Sequence, residues 1–61
     1  MVRSVGYDSQ TQTLEVEFQS GWVYQYYGVS DDMHDRMMEA PSKGRFLNMH
    51  IRDSYPYSRI A

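Results

Sequence analysis

The chain has 61 residues, which is enough for one small domain spanning residues 1–61, and domains of this size bury only about 60% of their unfolded surface. It contains no cysteine, which excludes disulfides, thiolate zinc sites and cysteine nucleophiles, so packing of one Trp, six Tyr, two Phe and five Met residues must stabilise the fold. The net charge of −2 argues against a strongly basic nucleic-acid binder, but residues 41–61 carry four cations against one carboxylate.

No stretch approaches the roughly 18 consecutive apolar residues that a transmembrane helix needs, and the N-terminus lacks the apolar core of a signal peptide. The absence of cysteine fits a reducing compartment. We therefore expect a cytoplasmic protein with no membrane partner.

Three short strands are predicted in the first half of the chain, at about residues 4–7, 13–18 and 22–27. In the second of them Leu14, Val16 and Phe18 alternate with two glutamates, so one face is apolar and the other is polar. Polar clusters at residues 8–12 and 19–21 separate the strands as turns. The pattern predicts a three-stranded antiparallel meander with an apolar face that other elements must cover.

The turn between the second and third strands allows two registers. A two-residue turn would pair Phe18 with Val23, whereas a three-residue loop ending at a left-handed Gly21 would pair Val16 with Tyr24. The longer loop gathers every large apolar side chain on one face, and a slip of one residue would move half of them to solvent. We therefore predict the three-residue loop.

A first helix is predicted to begin after Ser30, which is a good N-cap and is followed by two aspartates that favour a helix N-terminus. Met33, Met37 and Ala40 form its apolar stripe, and Pro41 ends it, because the residue before a proline is disfavoured in the helical region.

A second helix is predicted to begin after Ser42 and to end before residues 55–57, with the tail packed on the domain. Its predicted apolar face carries Phe46, Leu47, His50 and Ile51, and its basic face carries Arg45, Asn48, Met49 and Arg52. The fold class is α+β, a three-stranded antiparallel β-meander followed by two helices packed on one face. The predicted core is Leu14, Val16, Phe18, Tyr24, Tyr26, Met37, Phe46, Leu47 and Ile51.

This order of motifs resembles the KTSC family, short domains named for a segment at the C-terminus of some lysyl-tRNA synthetases. The matching residues are Ser4-Val5-Gly6-Tyr7-Asp8, Leu14-x-Val16-x-Phe18, Gly21, Tyr24-Gln25-Tyr26, Val29, Ser42-Lys43-Gly44-Arg45-Phe46-x-Asn48, Ile51-Arg52 and Tyr55. They cover almost the whole chain. The attachment of such domains to a tRNA synthetase implies an RNA-binding role.

The start of the second helix is a candidate anion site, because helix N-termini present free N–H groups and a favourable dipole to anions. Gly44 is unfavourable inside a helix, and close approach of a ligand or of another backbone would explain it. The candidate nucleic-acid or anion-binding residues are Ser42, Lys43, Gly44, Arg45, Arg52 and Arg59.

Exposed aromatic side chains are candidates for stacking on unpaired bases. Trp22 lies next to a turn and Tyr27 lies on the outer face of the sheet, so these two are the stacking candidates. Tyr24 and Tyr26 are predicted to face the core instead.

Neither histidine is predicted to be catalytic. His50 is expected to be half-buried at the edge of the core, and His34 is expected at the surface among carboxylates. No nucleophile–base pair, phosphate loop or metal-ligand spacing is present, so we expect no catalytic residue, no metal and no cofactor. Met33 and Met37 are expected in the core, and Met38 and Met49 outside it.

The sequence thus favours a small non-enzymatic binding module, with RNA or another polyanion bound through the basic C-terminal helix. The alternative is a protein–protein interaction module with no nucleic-acid role, which binds a protein partner or itself through the open sheet face, the sheet edges and exposed methionines. Salt separates the two, because phosphate contacts weaken steeply with salt and apolar contacts do not.

Overall fold

The computed structural model describes all 61 residues and has four antiparallel strands that neighbour one another in chain order. Strands Val2–Asp8 (β1), Thr13–Phe18 (β2) and Val23–Tyr27 (β3) form the meander. The helices Asp31–Glu39 (α1) and Lys43–Phe46 (α2) follow, α2 continues into a π-helical turn at Leu47–Ile51 (the π segment), and Tyr57–Arg59 forms β4 beside β3. The α+β class is confirmed, but the prediction of three strands is wrong.

The register between β2 and β3 is the one that the three-residue loop predicts. Val16 pairs with Tyr24, Gly21 has a φ of +94°, and its N–H donates to the carbonyl of Phe18 at 2.9 Å. The N–H of Phe18 in turn donates to the carbonyl of Trp22 at 2.9 Å, which closes the hairpin. The left-handed conformation is open to glycine without steric cost, so the position of Gly21 sets the register.

A bulge in β1 places the side chain of Val2 on the core face of the sheet. Val2 pairs with Phe18 and Ser4 pairs with Glu17, so Arg3 is the extra residue on this strand. Because a bulge shifts the alternation of side chains by one residue, Val2 packs against the core on the same side as Val5.

Helix α1 forms as its caps predict. The Ser30 hydroxyl accepts a hydrogen bond from the N–H of Met33 at 3.1 Å, and Asp31 begins the helix. Met37 is fully buried and Met33 packs partly against the core, as expected. At nine residues α1 is the longest helix, and no helix of the chain has the length and apolarity to cross a membrane.

The second helical region departs from the predicted regular helix. The N–H of Arg52 donates to the carbonyl of Leu47 at 2.8 Å, five residues earlier, which widens the turn. Leu47 and Ile51 stay buried, but His50 is exposed, so the predicted four-residue apolar face is wrong at this position. The wider turn rotates His50 away from the core while it keeps Leu47 and Ile51 inside.

The tail forms a strand that the sequence prediction missed. In β4 Tyr57 pairs with Tyr26 and Arg59 pairs with Tyr24. Directly opposed residues share a face of the sheet, so Tyr57 and Arg59 lie on the helix side with the two central tyrosines. The prediction fails because Pro56 and the length of only three residues hide the strand pattern.

The core lies between the sheet and the helical layer. Seven residues are buried, and six of them were predicted: Leu14, Val16, Tyr26, Met37, Leu47 and Ile51, with Val29 as the additional one. Phe18, Tyr24 and Phe46 are half-buried and pack against this core instead of lying inside it. The rings of Phe18 and Tyr24 meet edge to face at a centroid distance of 5.7 Å.

Tyr7 in β1 forms hydrogen bonds with the start of α1, and we predict that the stability of the fold decreases at alkaline pH because of this residue. Its hydroxyl donates to the Val29 carbonyl and to the Asp31 carboxylate. Burial raises the pKa of Tyr7 above its ordinary value of about 10, and the hydrogen bond to Asp31 and the nearby carboxylates act in the same direction. The unfolded chain therefore loses this proton first, so stability that is present below about pH 10 falls as the pH rises through the folded pKa.

We expect the Tyr7→Phe variant to lose less of its free energy of unfolding than the parent over this alkaline range, although its stability at neutral pH is lower. Urea unfolding followed by circular dichroism on both sides of about pH 10 measures the difference. The same alkaline loss in both proteins would show that Tyr7 is not the titrating group.

Candidate functional site

Four aromatic rings form a continuous floor on the helix side of β3 and β4. The centroid distances are 6.4 Å between Trp22 and Tyr24, 6.3 Å between Tyr24 and Tyr26, and 5.8 Å from Tyr57 to each of the two central tyrosines. Trp22 and Tyr57 are exposed, and Tyr24 is half-buried. The strand pairing holds these rings in place, because Tyr57 is directly opposite Tyr26 in the sheet.

A groove of about 340 Å³ lies above this floor, and we call it the aromatic groove. Its opposite wall is the helical region, through Leu47, Asn48 and Arg52. The Arg52 Nη1 atom lies 3.5 Å from the Asn48 Oδ1 atom, so the guanidinium and the amide sit side by side on the same wall. The groove therefore combines flat apolar surface with one cation and one amide.

The Tyr26 hydroxyl is the polar group at the bottom of the groove. Tyr26 is 3% exposed and lines the groove, and its hydroxyl forms no hydrogen bond within the chain. Burial raises the pKa of Tyr26, while the Arg52 guanidinium acts in the opposite direction. The hydroxyl therefore stays protonated at neutral pH and is free to donate a hydrogen bond to a bound molecule.

Arg59 extends the cationic character of the groove past its Trp22 end. Its guanidinium carbon lies 4.1 Å from the centroid of the Trp22 ring, which is a cation–π contact. The Nε atom also donates to the carbonyl of Ala61 at 3.2 Å. These two contacts hold the guanidinium beside the exposed indole without neutralising it by a side-chain carboxylate.

The start of α2 borders a second cavity of about 290 Å³, lined by Ser42, Gly44 and Arg45. Asn48 lines this cavity as well as the aromatic groove, and so do Met1 and Phe18, so the two are adjacent. The Ser42 hydroxyl accepts a hydrogen bond from the N–H of Arg45 at 3.2 Å. The predicted N-cap is confirmed, and it uses one of the N–H groups that the anion site was expected to offer.

Gly44 has more room than the sequence suggested. A Cβ atom at this position would lie 3.8 Å from the Val2 Cγ2 atom, which is an ordinary van der Waals distance. No backbone of the chain therefore requires glycine here, and close approach of a ligand remains the other explanation.

The predicted site residues divide into three places. Trp22 and Arg52 line the aromatic groove, and Arg59 lies over the Trp22 ring. The residues 42–45 lie at the start of α2 beside the second cavity. Tyr27 lies on the outer face of the sheet, where its hydroxyl donates to Gln25 at 3.2 Å, so it is separated from the other stacking candidate.

The predicted basic face of the second helix also divides. Asn48 and Arg52 line the aromatic groove, whereas Met49 lies with Phe46 and His50 beside another surface depression. The π segment is the cause. Its hydrogen bonds reach the fifth preceding residue and widen the turn, so side chains that an α-helix would place on one face point in different directions.

Tyr57 is the groove residue that sequence reasoning missed. The signal for it was the alternation of Tyr57 and Arg59 after Pro56, which matches one face of a short strand. Tyr26 was predicted to be inward-facing, and this is confirmed, but its hydroxyl also reaches the groove.

Both histidines lie outside the groove. His34 stacks on Tyr7 with a centroid distance of 4.4 Å and pairs with Asp35 at 3.4 Å, and the exposed His50 ring lies 4.6 Å from that of Phe46. No three His, Asp or Glu side chains lie close enough together to hold a metal ion.

Charge is distributed unequally over the surface. No lysine or arginine has a carboxylate side chain within 4.0 Å; the one such contact of a basic side chain is that of His34 with Asp35. The carboxylates lie mainly on α1 and on the outer face of the sheet, where Glu15 accepts a hydrogen bond from Gln25. Among the cations of residues 41–61, Arg52 lines the groove, Arg45 lines the second cavity, and Arg59 lies over the Trp22 ring.

The fold and the groove define a small antiparallel α+β domain with an aromatic and cationic groove between its C-terminal strand and its second helical region. The sequence model of the KTSC domain matches residues 1–55. The chain therefore belongs to the KTSC domain family, as its motifs predict.

Solved and curated relatives agree with this assignment. The crystal structure of a KTSC domain protein from Yersinia pestis matches with a TM-score of 0.90 and 36% identity, over 98% of this chain and 84% of that chain. A protein of Stutzerimonas stutzeri is 43% identical over 97% of this chain and 84% of its own length. The lysine–tRNA ligase of Nostoc punctiforme is 33% identical over 100% of this chain, but the chain spans only 11% of the ligase.

Proposed function

We propose that the chain is a non-enzymatic module that binds single-stranded RNA, or another polyanion, through the cations of its C-terminal segment. The observation that carries this proposal is that Trp22 and Arg52 line one groove while the Arg59 guanidinium lies over the Trp22 ring. Aromatic rings that stack on bases, together with arginines that contact phosphates, are the usual components of single-strand binding surfaces.

The electrostatics support an anionic ligand in spite of the net charge of −2. Lys43 and Arg45 at α2 and Arg52 and Arg59 at the groove have no carboxylate side chain as a partner. Binding a phosphate therefore does not have to break an existing ion pair, and guanidinium groups form strong charge-assisted hydrogen bonds with phosphate oxygens.

The relatives also support RNA among the polyanions. Domains similar to the whole chain occur within lysine–tRNA ligases, whose names state an RNA substrate. The chain matches only 11% of the length of these ligases, so the comparison supports a shared accessory role and not a shared reaction. The cytoplasmic location that the sequence predicts is part of the same proposal.

The composition of the groove supports binding over catalysis. Its polar side chains are Ser20, Asn48, Arg52 and tyrosines, and no histidine or carboxylate lines it. General acid–base chemistry at neutral pH usually depends on such groups. We therefore propose a binding module and not an enzyme.

The second candidate is a protein-interaction module, and exposed methionines favour it. Met49 is 66% exposed and Met38 is 43% exposed, and flexible methionine side chains are common at adaptable protein interfaces. These side chains are on the helical layer, away from the aromatic floor. A partner bound there would be a protein or a second copy of the chain.

Fluorescence anisotropy of a labelled single-stranded RNA tests the proposal against this second candidate. We expect saturable binding at low salt that weakens steeply as the salt concentration rises, because bound phosphates release counterions. No binding at low salt would contradict the proposal and leave the protein-interaction function as the better one. Sedimentation of the protein alone measures self-association independently.

The Gly44→Ala variant tests whether RNA approaches the start of α2. Alanine is more favourable than glycine in a helix by about 0.8–1.0 kcal/mol, and the space beside Val2 accepts a methyl group, so we expect a gain in stability close to this range. We also expect weaker RNA binding, because the added methyl group blocks close approach to the backbone. Urea unfolding and anisotropy measure the two effects, and a gain in stability without any loss of affinity would exclude a ligand contact at Gly44.

A further inference from the structure

We propose that the aromatic groove binds one unstacked base of a single-stranded nucleic acid, with Tyr57 as the ring on which the base stacks. This inference rests on the proposed function and adds where a single base binds and which ring it stacks on. It concerns Tyr57, Tyr26 and Asn48, none of which is a predicted anion or stacking residue.

The size and shape of the groove fit a single base. Its volume of about 340 Å³ is at the lower end of the range of roughly 300–1,000 Å³ for small-molecule sites. The floor consists of aromatic rings, and every base has a flat face that stacks on such rings. A duplex keeps its bases stacked inside the helix, so the groove favours a single strand.

Polar groups are available for the edge of a bound base. Tyr26 is buried as a residue, but its hydroxyl has no partner in the chain and is accessible from the groove. The Asn48 amide on the opposite wall offers two N–H donors and one oxygen, and this oxygen already accepts a hydrogen bond from the Arg52 Nη1 atom at 3.5 Å. Because no buried polar side-chain atom of the chain lacks a partner, this hydroxyl is open to the space of the groove, where it can donate a hydrogen bond to a ligand.

Guanidinium groups lie at the Trp22 end of the groove and on its helical wall, where they are available to the backbone of a bound strand. Arg59 covers the Trp22 ring at one end, and Arg52 lines the helical wall. Past Asn48 the second cavity leads to Arg45. A base in the groove would therefore have guanidinium groups within reach of the phosphates on either side of it.

Tyr57 is the ring best placed to stack on a base. It is 57% exposed, whereas Tyr26 is buried and the Trp22 ring already carries the Arg59 guanidinium. Its backbone is held by the pairing of β4 with β3, so the exposed ring is held in position before a ligand binds.

The test compares a ligand that has bases with one that has only phosphates. A fluorescein-labelled uridine octamer, its deoxyribose counterpart and inorganic polyphosphate are titrated against the parent and three variants: Tyr57→Ala, Tyr57→Phe and Tyr27→Ala. Loss of one base-stacking contact corresponds to about a 5- to 150-fold change in affinity. We expect Tyr57→Ala to lose this factor for the octamer and to bind polyphosphate as the parent does. Tyr57→Phe retains the ring and is expected to bind normally, and Tyr27→Ala, on the outer face, is the matched control.

The outcomes separate the inference from the proposed function. If Tyr57→Ala binds the octamer as well as the parent, or loses octamer and polyphosphate equally, the base-binding inference is wrong and the polyanion-binding function stands. If the parent binds none of the three ligands, both the inference and the proposed function are wrong. A loss confined to the RNA octamer, without the same loss for the DNA octamer, supports the inference and identifies RNA as the source of the base. Circular dichroism of Tyr57→Ala confirms that the variant is folded, which its exposure of 57% favours.

Discussion

Replacing Met37 with alanine is expected to lower the free energy of unfolding by about 2–5 kcal/mol, because truncating a buried methionine loses its burial and leaves a cavity. Met37 is fully buried in α1, where it packs against the sheet. At about 0.05–0.15 kcal/mol per residue, a domain of 61 residues has only about 3–9 kcal/mol of stability. The substitution therefore removes a large part of this stability, and urea unfolding followed by circular dichroism measures the loss.

The matched control is Met49→Ala, which makes the same chemical change at a side chain that is 66% exposed. We expect this variant to stay within about 0.5 kcal/mol of the parent, as surface substitutions usually do. Equal losses in the two variants would contradict the packing of α1 on the sheet, and so would a Met37→Ala protein that unfolds at the same urea concentration as the parent.

The second large effect is expected from removing two cations of the C-terminal segment. Arg45→Gln and Arg52→Gln remove guanidinium groups beside the second cavity and the aromatic groove. Hydrogen bonds to charged groups contribute about 1.5–3 kcal/mol, so each substitution should weaken binding of single-stranded RNA about tenfold or more. Each should also reduce the slope of log K against log salt by about 0.7, the value per phosphate contact of a single strand. Anisotropy titrations at several salt concentrations measure both quantities.

Arg36→Gln is the control for this pair. Arg36 is exposed on α1 among aspartates, so its removal changes the net charge by the same amount without touching the groove. We expect RNA affinity close to that of the parent. A loss equal to that of Arg52→Gln would show that net charge alone governs binding, and indifference to all three substitutions would exclude phosphate contacts by Arg45 and Arg52.

The hairpin of β2 and β3 was predictable because local and long-range requirements agree there. The left-handed Gly21 and the alternation of Leu14, Val16 and Phe18 both favour the same register. Helix α1 was predictable for the same reason, since the Ser30 cap and the stripe through Met37 define the same element. These elements can be predicted from the sequence because their caps and turn residues favour the same structure as their pattern of buried residues.

The π segment and β4 were not predictable from these signals. The wider turn at Leu47–Ile51 has no distinctive residue pattern, and it depends on how Leu47 and Ile51 both reach the core. Strand β4 has only three residues and is stabilised by pairing with β3 and not by its own propensity. Both depend on contacts between distant parts of the chain.

The sequence predicted the charged residues of the candidate site, but it predicted only part of the groove at which they lie. The cations Arg52 and Arg59 and the exposed Trp22 were selected from the sequence, because charge and exposure follow from residue type and position. Their arrangement depends on β4, which places Arg59 opposite Tyr24 and adds Tyr57 to the aromatic floor. Without that strand, Tyr27 appeared to be as good a stacking residue as Trp22.

A titration of ¹⁵N-labelled protein with single-stranded RNA, followed by ¹H–¹⁵N correlation NMR, tests most directly whether the helical side of β3 and β4 is the binding surface. We predict that the largest shifts occur at the Trp22 indole and at the backbone amides of Asn48, Arg52 and Tyr57, while Gln25 on the outer face stays unchanged. Shifts concentrated at Gln25 and its neighbours on the outer face, or no shifts at low salt, would contradict the proposed binding surface.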